Sequence, residues 1–567
     1  MTESLRKLWG ALSPEERRKL PWMLLLVVLM TSIETLGVLS IMPFLSALAR
    51  PEIIHENLWL LALYEHFSFS TTRNFVIALG LASMTAVIAS SAFKTITLHV
   101  LNRFTNLTRH SLSTRLLNTY LNQPYEFFLH HNPSVLAKNI LSETDQLVLG
   151  LMQPLSRMIA HGMIVAAMAS LIFLYDPLTA LFIVTVLALM YGFIYGLVRK
   201  RLLQIGHERQ TANAMRYQAC NEALGGIKDV KVTHSSQAYL QRFAKPSREF
   251  SRHIATSETL SQSPLYLVEA VGYSGLILIA LALLTRSDDI AHVLPALGLY
   301  GFAAYRMLPA AQTMYRGLAQ MRSSTTALSG LHHDLTLPVE HRRAALPALP
   351  LQREIRLTGI RYAYPSTPDK PVFDNFDLVI PACTTAAIVG KSGAGKSTLM
   401  DILLGLLQPQ AGTFTVDGVE ITPENIGAWQ KSIGYVPQHI YLADASIAEN
   451  IAFGVPRDKI DMRAVERAAS AAQIHDFVVG ELSLRYDTRI GDRGIRLSGG
   501  QRQRIGVARA LYHNPTVLLM DEATSALDSA TEDALHEAIK RLSANKTVIV
   551  ITHSKKNIHI FSHRITL

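Results

Sequence analysis

Cysteine is scarce in this chain, with only two among 567 residues. Cys220 and Cys383 lie far apart, in segments that we assign below to the cytosolic side of a membrane, so a disulfide framework is excluded. Charged residues are also scarce, at 17% of the chain against 49% for hydrophobic residues. A chain of this length and composition is too long for one domain and is typical of a membrane protein.

Acidic residues are fewer than basic ones, which gives a formal net charge of +10 and a pI near 9.4. An excess of this size can indicate a protein that binds nucleic acid. In membrane proteins, however, Lys and Arg gather in the cytosolic parts, and this is the better explanation for so apolar a chain. We therefore predict no nucleic-acid partner.

Long apolar runs begin after the N-terminal segment. The first 20 residues alternate Leu and Trp with Arg and Lys, which predicts a basic amphipathic helix at the membrane surface. The next run, 21–45, is longer than the apolar part of a signal peptide and lacks a convincing cleavage site, so we interpret it as a first spanning helix. Five more candidate spans lie near residues 75–98, 147–174, 178–198, 265–284 and 292–314.

The charge of the connecting segments predicts the orientation of these six spans. Connections after the first, third and fifth spans are poor in net positive charge. The long segments after the second and fourth spans are rich in Arg and Lys, so they face the cytosol. They are patterned as extensions of the spanning helices, each ending in a short helix near 124–128 and 222–231. Prolines then mark a linker over 323–350.

A glycine-rich motif lies beyond this linker, at residues 390–397. Its sequence, GKSGAGKS, fits the phosphate-loop pattern GxxxxGK[ST], between apolar runs that supply the strand before it and the helix after it. In such a loop backbone N–H groups surround the phosphates, Lys396 reaches the β- and γ-phosphates, and Ser397 offers a hydroxyl to Mg²⁺. We assign ATP binding here to Gly390, Ser392, Gly393, Ala394, Gly395, Lys396, Ser397 and Thr398.

An acidic pair follows a second apolar strand pattern, at residues 517–520. We assign Asp521 to Mg²⁺ and Glu522 to the attacking water, because a phosphate-loop fold needs one carboxylate for each task. A helical run opens nearby, and its free N–H groups favour an anion. The residues at its start are Ser498, Gly499, Gly500 and Gln501. The sequence therefore predicts an enzyme that binds and hydrolyses ATP, with ATP and Mg²⁺ as its cofactors.

In this order, the motifs resemble the nucleotide-binding domain of ABC transporters, with LSGGQ at 497–501 as the signature motif. The resemblance implies that Tyr364 stacks on adenine and that Gln438 contacts Mg²⁺. It also implies that Asp528 lies in the D-loop and that His553 senses the γ-phosphate. The catalytic residues that the resemblance implies are Glu522, His553 and Gln438.

The same resemblance implies the architecture of a type IV exporter half-transporter. The expected fold is an α-helical six-span transmembrane domain followed by an α/β P-loop ABC nucleotide-binding domain. The expected regions are 1–20 for the surface helix, 21–322 for the transmembrane domain with two coupling regions, 323–350 for the linker and 351–567 for the nucleotide-binding domain. In this family Lys396 of one subunit and Ser498 and Gly500 of the other hold one ATP, which implies a homodimer.

Among the ionisable residues inside the candidate spans, we single out four as candidates for a substrate site: Glu34, Lys94, Glu269 and Arg306. Such residues are costly in hydrocarbon and tend to pair with one another or to face a cavity. Two interpretations stay open. In the first, Lys94 or Arg306 pairs with Glu34 or Glu269, or Lys94 extends to the cytosolic edge of the membrane. In the second, the two cations line a cavity and bind an anionic lipid headgroup.

Short motifs in the spans are similar to those of bacterial lipid-linked oligosaccharide flippases of the PglK type. They are IET at 33–35, IMPF at 41–44, FK at 93–94 and YRMLPA at 305–310. In that group cavity arginines are implicated in pyrophosphate recognition. Here Lys94 and Arg306 occupy two such places, while Leu265 stands in a third.

This second resemblance implies an ATP-driven flippase that moves a polyprenyl-diphosphate-linked oligosaccharide or a related glycolipid. It would be a multi-pass protein of the bacterial inner (cytoplasmic) membrane with its ATPase domain in the cytosol. One alternative is an ATP-driven exporter of lipid A-like lipids, peptides or hydrophobic drugs. Another is an ATP-gated regulator or channel, which the intact Glu522 disfavours. A short external helix is expected at 57–64, either touching lipid or sealing the outer end of the bundle.

Overall fold

The computed structural model describes residues 2–286, 290–338, 346–491, 494–522, 545–552 and 561–567. Contacts within the chain define two compact units. The first, helical unit comprises Met1–Gln123 and His131–Val339. The second comprises Pro124–His130 and Glu340–Leu567 and contains all the described β-strands.

Fifteen helices precede the strands in the described part of the chain. They are α1 (Thr2–Ala11), α2 (Pro14–Leu39), α3 (Ile41–Ala49), α4 (Ile53–Glu56), α5 (Leu58–His66), α6 (Thr72–Leu121), α7 (Tyr125–His130), α8 (Pro133–Lys138), α9 (Thr144–Leu147), α10 (Gln153–Tyr175), α11 (Pro177–Gly225), α12 (Ile227–Val232), α13 (Ser236–Gln262), α14 (Pro264–Arg286) and α15 (Ile290–Leu335). Two π-helical turns, Asn139–Glu143 and Val148–Met152, flank α9.

The N-terminal segment differs from the single surface helix predicted over 1–20. A new helix, α2, starts only three residues after α1 ends, because Ser13 and Glu16 form a capping box. The Ser13 hydroxyl accepts the Glu16 N–H at 3.2 Å, and the Glu16 carboxylate accepts the Ser13 N–H at 2.7 Å. The predicted first span, 21–45, is in turn divided between α2 and α3 at Ser40.

Four segments of the described chain are long and apolar enough to cross a membrane: Pro14–Ala49, Thr72–Leu121, Pro133–Tyr175 and Pro177–Gly225. They contain the first four predicted spans. The fifth and sixth predicted spans fall on α14 and α15, where many side chains lie outside the described set. Six spans are consistent with these helices, and four of them are found among the described residues.

Two of the spanning helices are much longer than a bilayer is thick. Helix α6 has 50 residues and α11 has 49, which at 1.5 Å per residue gives each a length of about 75 Å. The hydrocarbon core measures only about 30 Å. The excess length, with the short helices α7 and α12 at its ends, agrees with the predicted extensions and places a short helix in each of the two predicted coupling regions.

The predicted linker begins later than its sequence suggested. Helix α15 continues to Leu335, so the first part of the 323–350 segment is helical. Ser323 and Ser324 are buried, and the Ser324 hydroxyl accepts a hydrogen bond of 2.7 Å from Gln146. Polar contacts of this kind stabilise a helix whose sequence lacks clear apolar periodicity. Residues 339–345 lie outside the described part, and 346–350 form no regular element.

The second unit contains two β-sheets. The strands are β1 (Glu354–Tyr362), β2 (Phe373–Pro381), β3 (Thr385–Val389), β4 (Ala411–Val416), β5 (Val419–Glu420), β6 (Ile433–Val436), β7 (Val517–Asp521), β8 (Thr547–Ile551) and β9 (His563–Thr566). An antiparallel sheet has the order β2-β1-β4-β5, and a parallel sheet has the order β6-β7-β8-β3-β9.

The parallel sheet determines where the candidate site lies. Its strands β3, β7 and β8 are buried almost throughout, as expected for strands covered on both faces. Besides α7, the α-helices in the described part of this unit are α16 (Lys396–Leu403), α17 (Ile426–Gln430), α18 (Ile447–Ile451), α19 (Met462–Ala471), α20 (His475–Gly480) and α21 (Gly499–Leu511). Because the strands are parallel, the segments that follow β3, β6 and β7 meet at one edge of the sheet.

Candidate ATPase and substrate sites

The phosphate loop connects β3 to α16. Gly393 and Gly395 have positive φ angles of 82° and 93°, and a Cβ on Gly395 would lie 2.7 Å from a methyl carbon of Val372. Both positions therefore favour glycine for conformational or steric reasons. The Lys396 ammonium lies over the loop and donates to the carbonyl oxygens of Gly390 and Lys391, each at 3.0 Å. This places the cation at the N-terminus of α16, where an anion is favoured.

Gln438 and Glu522 are brought together at the edge of the parallel sheet. The Gln438 side-chain amide donates a hydrogen bond of 2.7 Å to the Glu522 carboxylate. Glu522 has a φ angle of +45°, which a non-glycine residue seldom adopts, and its N–H donates to the Ile551 carbonyl at 3.1 Å. The strand-end geometry thus fixes the carboxylate that we assigned to the attacking water.

The oxygen donors at this edge suit Mg²⁺. Asp521 ends β7, and the Ser397 hydroxyl is exposed at the start of α16. No cluster of three or more His, Cys, Asp or Glu forms a metal site among the described residues. Mg²⁺ in nucleotide enzymes takes one or two carboxylates and completes its shell with water and substrate phosphates, so Asp521, Ser397 and the Gln438 amide oxygen fit it.

Sequence reasoning missed one carboxylate beside this edge, that of Asp401 in α16. Burial and the nearby charge of Asp521 raise the pKa of Asp401 to about 6. The sequence could have indicated Asp401, because it is a carboxylate inside the apolar run that follows the phosphate loop. Its proximity to Asp521 makes this part of the site strongly acidic.

Tyr364, the predicted adenine-stacking residue, lies next to the phosphate-loop helix. Its hydroxyl and that of Thr398 share a hydrogen bond of 2.9 Å. Its ring meets the ring of Tyr362 edge-on, with centroids 5.3 Å apart. The buried Tyr362 hydroxyl donates a 3.0 Å hydrogen bond to Glu126 of α7, a segment that belongs to the same compact unit. The predicted coupling segment thus contacts Tyr362, whose ring packs against that of Tyr364.

The signature residues begin α21. Ser498 is its N-cap, and its hydroxyl accepts the Gln501 N–H at 3.2 Å. The Gln501 side chain in return accepts the Ser498 N–H at 2.8 Å. This capping box leaves Gly499 and Gly500 in the first turn, as the anion-site prediction requires. Two further predicted residues, Asp528 and His553, lie outside the described part of the chain.

Glu34 is the centre of an ionic cluster in the helical unit. Its Oε1 atom lies 3.0 Å from Lys94 Nζ and 2.9 Å from Arg306 Nη1, so α2, α6 and α15 are joined. The Glu34 side chain is 1% exposed, whereas those of Lys94 and Arg306 are 25% and 23% exposed. Within the described residues, Glu34 Oε2 has no hydrogen-bond partner and Glu269 forms no ion pair. Pairing therefore occurs at Glu34 and involves both cations.

Two ionisable residues of α10 were missed by sequence reasoning. Arg157 and His161 lie within the predicted span 147–174, so the rule that singled out Lys94 applied to them as well. His161 interacts electrostatically with Lys94, Glu34 and Arg157. Its Nδ1 atom is buried and has no hydrogen-bond partner in the described structure.

An apolar cavity of ≈ 540 Å³ lies between α10, α11, α14 and α15. Ile172 of α10 and Met307 of α15 belong to its wall, and Met307 directly follows Arg306 of the ionic cluster. Its size and lining suit hydrocarbon chains.

A helical unit with membrane-spanning segments and a phosphate-loop unit with a capped LSGGQ helix define an ATP-driven membrane transporter. Residues 41–287 match the family model described as ABC transporter transmembrane region, and residues 373–525 match the one described as ABC transporter. The lipid A-core flippase of Chromohalobacter salexigens is 30% identical over 453 residues, which cover 78% of this chain and 76% of that protein. The chain belongs to the ABC transporter family, with an ATPase domain coupled to transport.

Two other proteins illustrate the breadth of this similarity. Mouse ATP-binding cassette sub-family B member 10, mitochondrial, is 30% identical over 457 residues, which cover 78% of this chain and 62% of that protein. A bacterial Atm1-family ABC exporter with ATP bound aligns with a TM-score of 0.78 over 97% of this chain and 93% of its own. At 21% identity this second likeness shows the fold alone.

Proposed function

We propose that this ABC transporter flips a phosphorylated glycolipid across the bacterial inner membrane. The observation that carries the proposal is the Glu34 cluster, in which two partly exposed cations share one buried carboxylate. The three charges sum to +1, and intramembrane charge of this kind usually serves binding or transport. The apolar cavity, whose lining includes Met307 next to Arg306 in the sequence, supports a substrate that carries hydrocarbon as well as charge.

Two lipids of this class fit the proposal. One is a polyprenyl-diphosphate-linked oligosaccharide, favoured by the span motifs that include Lys94 and Arg306. The other is a lipid A-like molecule, favoured by the names of bacterial relatives that are lipid A-core flippases. Both combine phosphate, sugar and long apolar chains, so they share the chemistry that the cluster and the cavity would recognise.

The ATPase unit supplies the groups that drive the cycle. Lys396 and the loop N–H groups bind the phosphates, while Ser397 and Asp521 would hold Mg²⁺, which would neutralise phosphate charge. Glu522 orients the attacking water and accepts its proton, and Gln438 holds Glu522 in place. Hydrolysis is proposed to occur in a homodimer, with each ATP contacted by the Ser498 segment of the partner subunit and with both ATPase units in the cytosol.

The experiment is a flipping assay with the full-length protein in liposomes. Undecaprenyl-diphosphate-linked oligosaccharide, lipid A and a zwitterionic phospholipid are each tested, and ATP-dependent loss of headgroup accessibility is measured. We expect flipping of at least one of the phosphorylated glycolipids and none of the zwitterionic lipid, with a Glu522→Gln protein as the inactive control. Equal flipping of all three lipids, or of none, would contradict the proposal.

A further inference from the structure

We propose that Arg157 of α10 is the first residue to bind the negatively charged headgroup of the transported lipid. This inference rests on the proposed function and adds a residue that neither the span motifs nor the sequence interpretation identified. It assigns different tasks to the cations of the helical unit. Arg157 binds the incoming headgroup, while Lys94 and Arg306 are held by Glu34 until the headgroup arrives.

Lys94 and Arg306 are poorly suited to make the first contact. Both lie within 3.0 Å of the same Glu34 oxygen, and the Glu34 side chain is 1% exposed. Moving either cation away would weaken the compensation of a buried carboxylate, which is strongly unfavourable. An anion that approaches the cluster must therefore already be bound by another group before it can compete with Glu34.

Arg157 stands out from the pattern of burial along α10. The buried residues of this helix are Pro154, Ala160, Ile164, Met168 and Ile172. Arg157 lies three residues from both Pro154 and Ala160, so it shares their side of the helix. Helix α10 packs chiefly against α15 and also against α2. Arg157 is nevertheless exposed, so it is accessible on a side of α10 whose neighbouring residues are buried.

Arg157 is free to accept an anion. In the part of the chain that the structure describes, it forms neither an ion pair nor a hydrogen bond. An unpaired guanidinium inside an apolar span is expensive unless water or a ligand compensates it. A phosphate group would do so with charge-assisted hydrogen bonds, which the planar guanidinium makes in pairs.

His161 connects Arg157 to the Glu34 cluster. It follows Arg157 by four residues on α10, which is about 6 Å along the helix axis. It interacts electrostatically with Arg157 as well as with Lys94 and Glu34, so these groups share one region of the unit. With the orientation proposed above, α10 leaves the cytosol at its N-terminal end, so Arg157 lies on the cytosolic side of His161. A headgroup that enters from the cytosol meets Arg157 before it reaches Lys94 and Arg306.

The test measures lipid-stimulated ATPase activity of the full-length protein in nanodiscs. Undecaprenyl diphosphate and lipid A are the lipid probes, and inorganic pyrophosphate is added separately to distinguish a lipid headgroup from the free anion. The variants are Arg157→Ala, Arg157→Lys and, as a matched control, Arg199→Ala. Arg199 is also an exposed arginine with no partner among the described residues, but it lies on α11 beyond the predicted span.

We expect Arg157→Ala to raise the lipid concentration for half-maximal stimulation about tenfold or more, the order expected for one lost charge-assisted contact. Basal ATPase activity and the KM for ATP should be unchanged, since Arg157 lies outside the ATPase unit. Arg157→Lys should recover part of the loss, and Arg199→Ala should match the wild type. If pyrophosphate alone stimulates in the same way, the anion rather than the lipid is the ligand of Arg157.

If Arg157→Ala needs the same lipid concentration as the wild type for half-maximal stimulation of the ATPase, the inference is overturned while the proposed function stays intact. An absence of stimulation in the wild-type protein by either lipid would instead count against the proposed function. The unfolding temperature of each variant is measured in parallel. If Arg157→Ala fails to fold, Arg157→Gln, which retains length and polarity, replaces it with the same expected result.

Discussion

The Gln438 amide donates a hydrogen bond of 2.7 Å to the Glu522 carboxylate, so the segment after β6 holds the carboxylate that follows β7. The backbone of Glu522 is held as well, by the Ile551 carbonyl at the end of β8. Three neighbouring strands thus determine the position of one carboxylate. Movement of the segment after β6 would therefore change the orientation of that carboxylate.

Replacing Glu522 by Gln should leave ATP binding intact and lower steady-state hydrolysis about 10²–10⁴-fold, the range for loss of a positioned base. The amide keeps the size of the side chain and can still bond to Gln438. Binding is measured with a fluorescent nucleotide and turnover by phosphate release from the purified protein. Near-normal turnover would show that Glu522 has another role.

A mixed dimer tests whether ATP is held between two subunits. One subunit carries Lys396→Ala and its partner carries Ser498→Arg, so both changes fall in one composite site and the other site is intact. We expect this mixture to retain ATP binding, measured on tagged and purified heterodimers, while each variant homodimer binds poorly. Equal loss in all three proteins would indicate that the nucleotide is bound within one chain or that both sites must act together.

Replacing Arg306 by Ala should lower stability, because Glu34 then keeps only one cation in a buried position. The expected loss is about 1–3 kcal/mol, the range for a buried group deprived of a partner. Adding Glu34→Gln should restore part of the unfolding temperature, measured by differential scanning calorimetry. If the cations also bind headgroups, the double variant should regain stability but not lipid transport. If it regains transport as well, the cations have a structural role alone.

The hydrogen bond between Tyr362 and Glu126 should couple the two residues energetically. Tyr362→Phe and Glu126→Gln are expected to lower stability by about 0.5–1.5 kcal/mol each, and the double variant by less than their sum. Tyr486→Phe is the matched control, because it removes another buried hydroxyl, one that bonds to His475 at 2.8 Å. Its combination with Glu126→Gln should be additive in urea unfolding of the full-length protein.

Much of the ATPase site was predictable because its motifs are local. The phosphate loop, the acidic pair after β7 and the capped start of α21 each depend on a few consecutive residues with specific backbone requirements. The sequence therefore located Lys396, Asp521 and Ser498 within the correct elements. The contact of Gln438 with Glu522 spans 84 residues, and only the order of the strands brings the two together.

The helical unit was less predictable, because tertiary contacts determine its details. Apolar runs located the spans, yet the end of α1 depends on the Ser13 capping box, and α15 extends beyond Ser323 through buried polar contacts. Arg157 could have been identified from its place inside a predicted span, whereas its exposure beside buried residues of α10 required the structure. Pairing of Lys94 and Arg306 with the same carboxylate likewise requires three helices that are distant in sequence.

Helix α7 has a practical consequence for anyone who wishes to produce the ATPase unit alone. Cutting the chain at the linker would remove residues 124–130 and leave the fully buried Tyr362 hydroxyl without its acceptor on Glu126. An ATPase fragment would therefore need those residues grafted back through a flexible tether, or Tyr362 replaced by Phe.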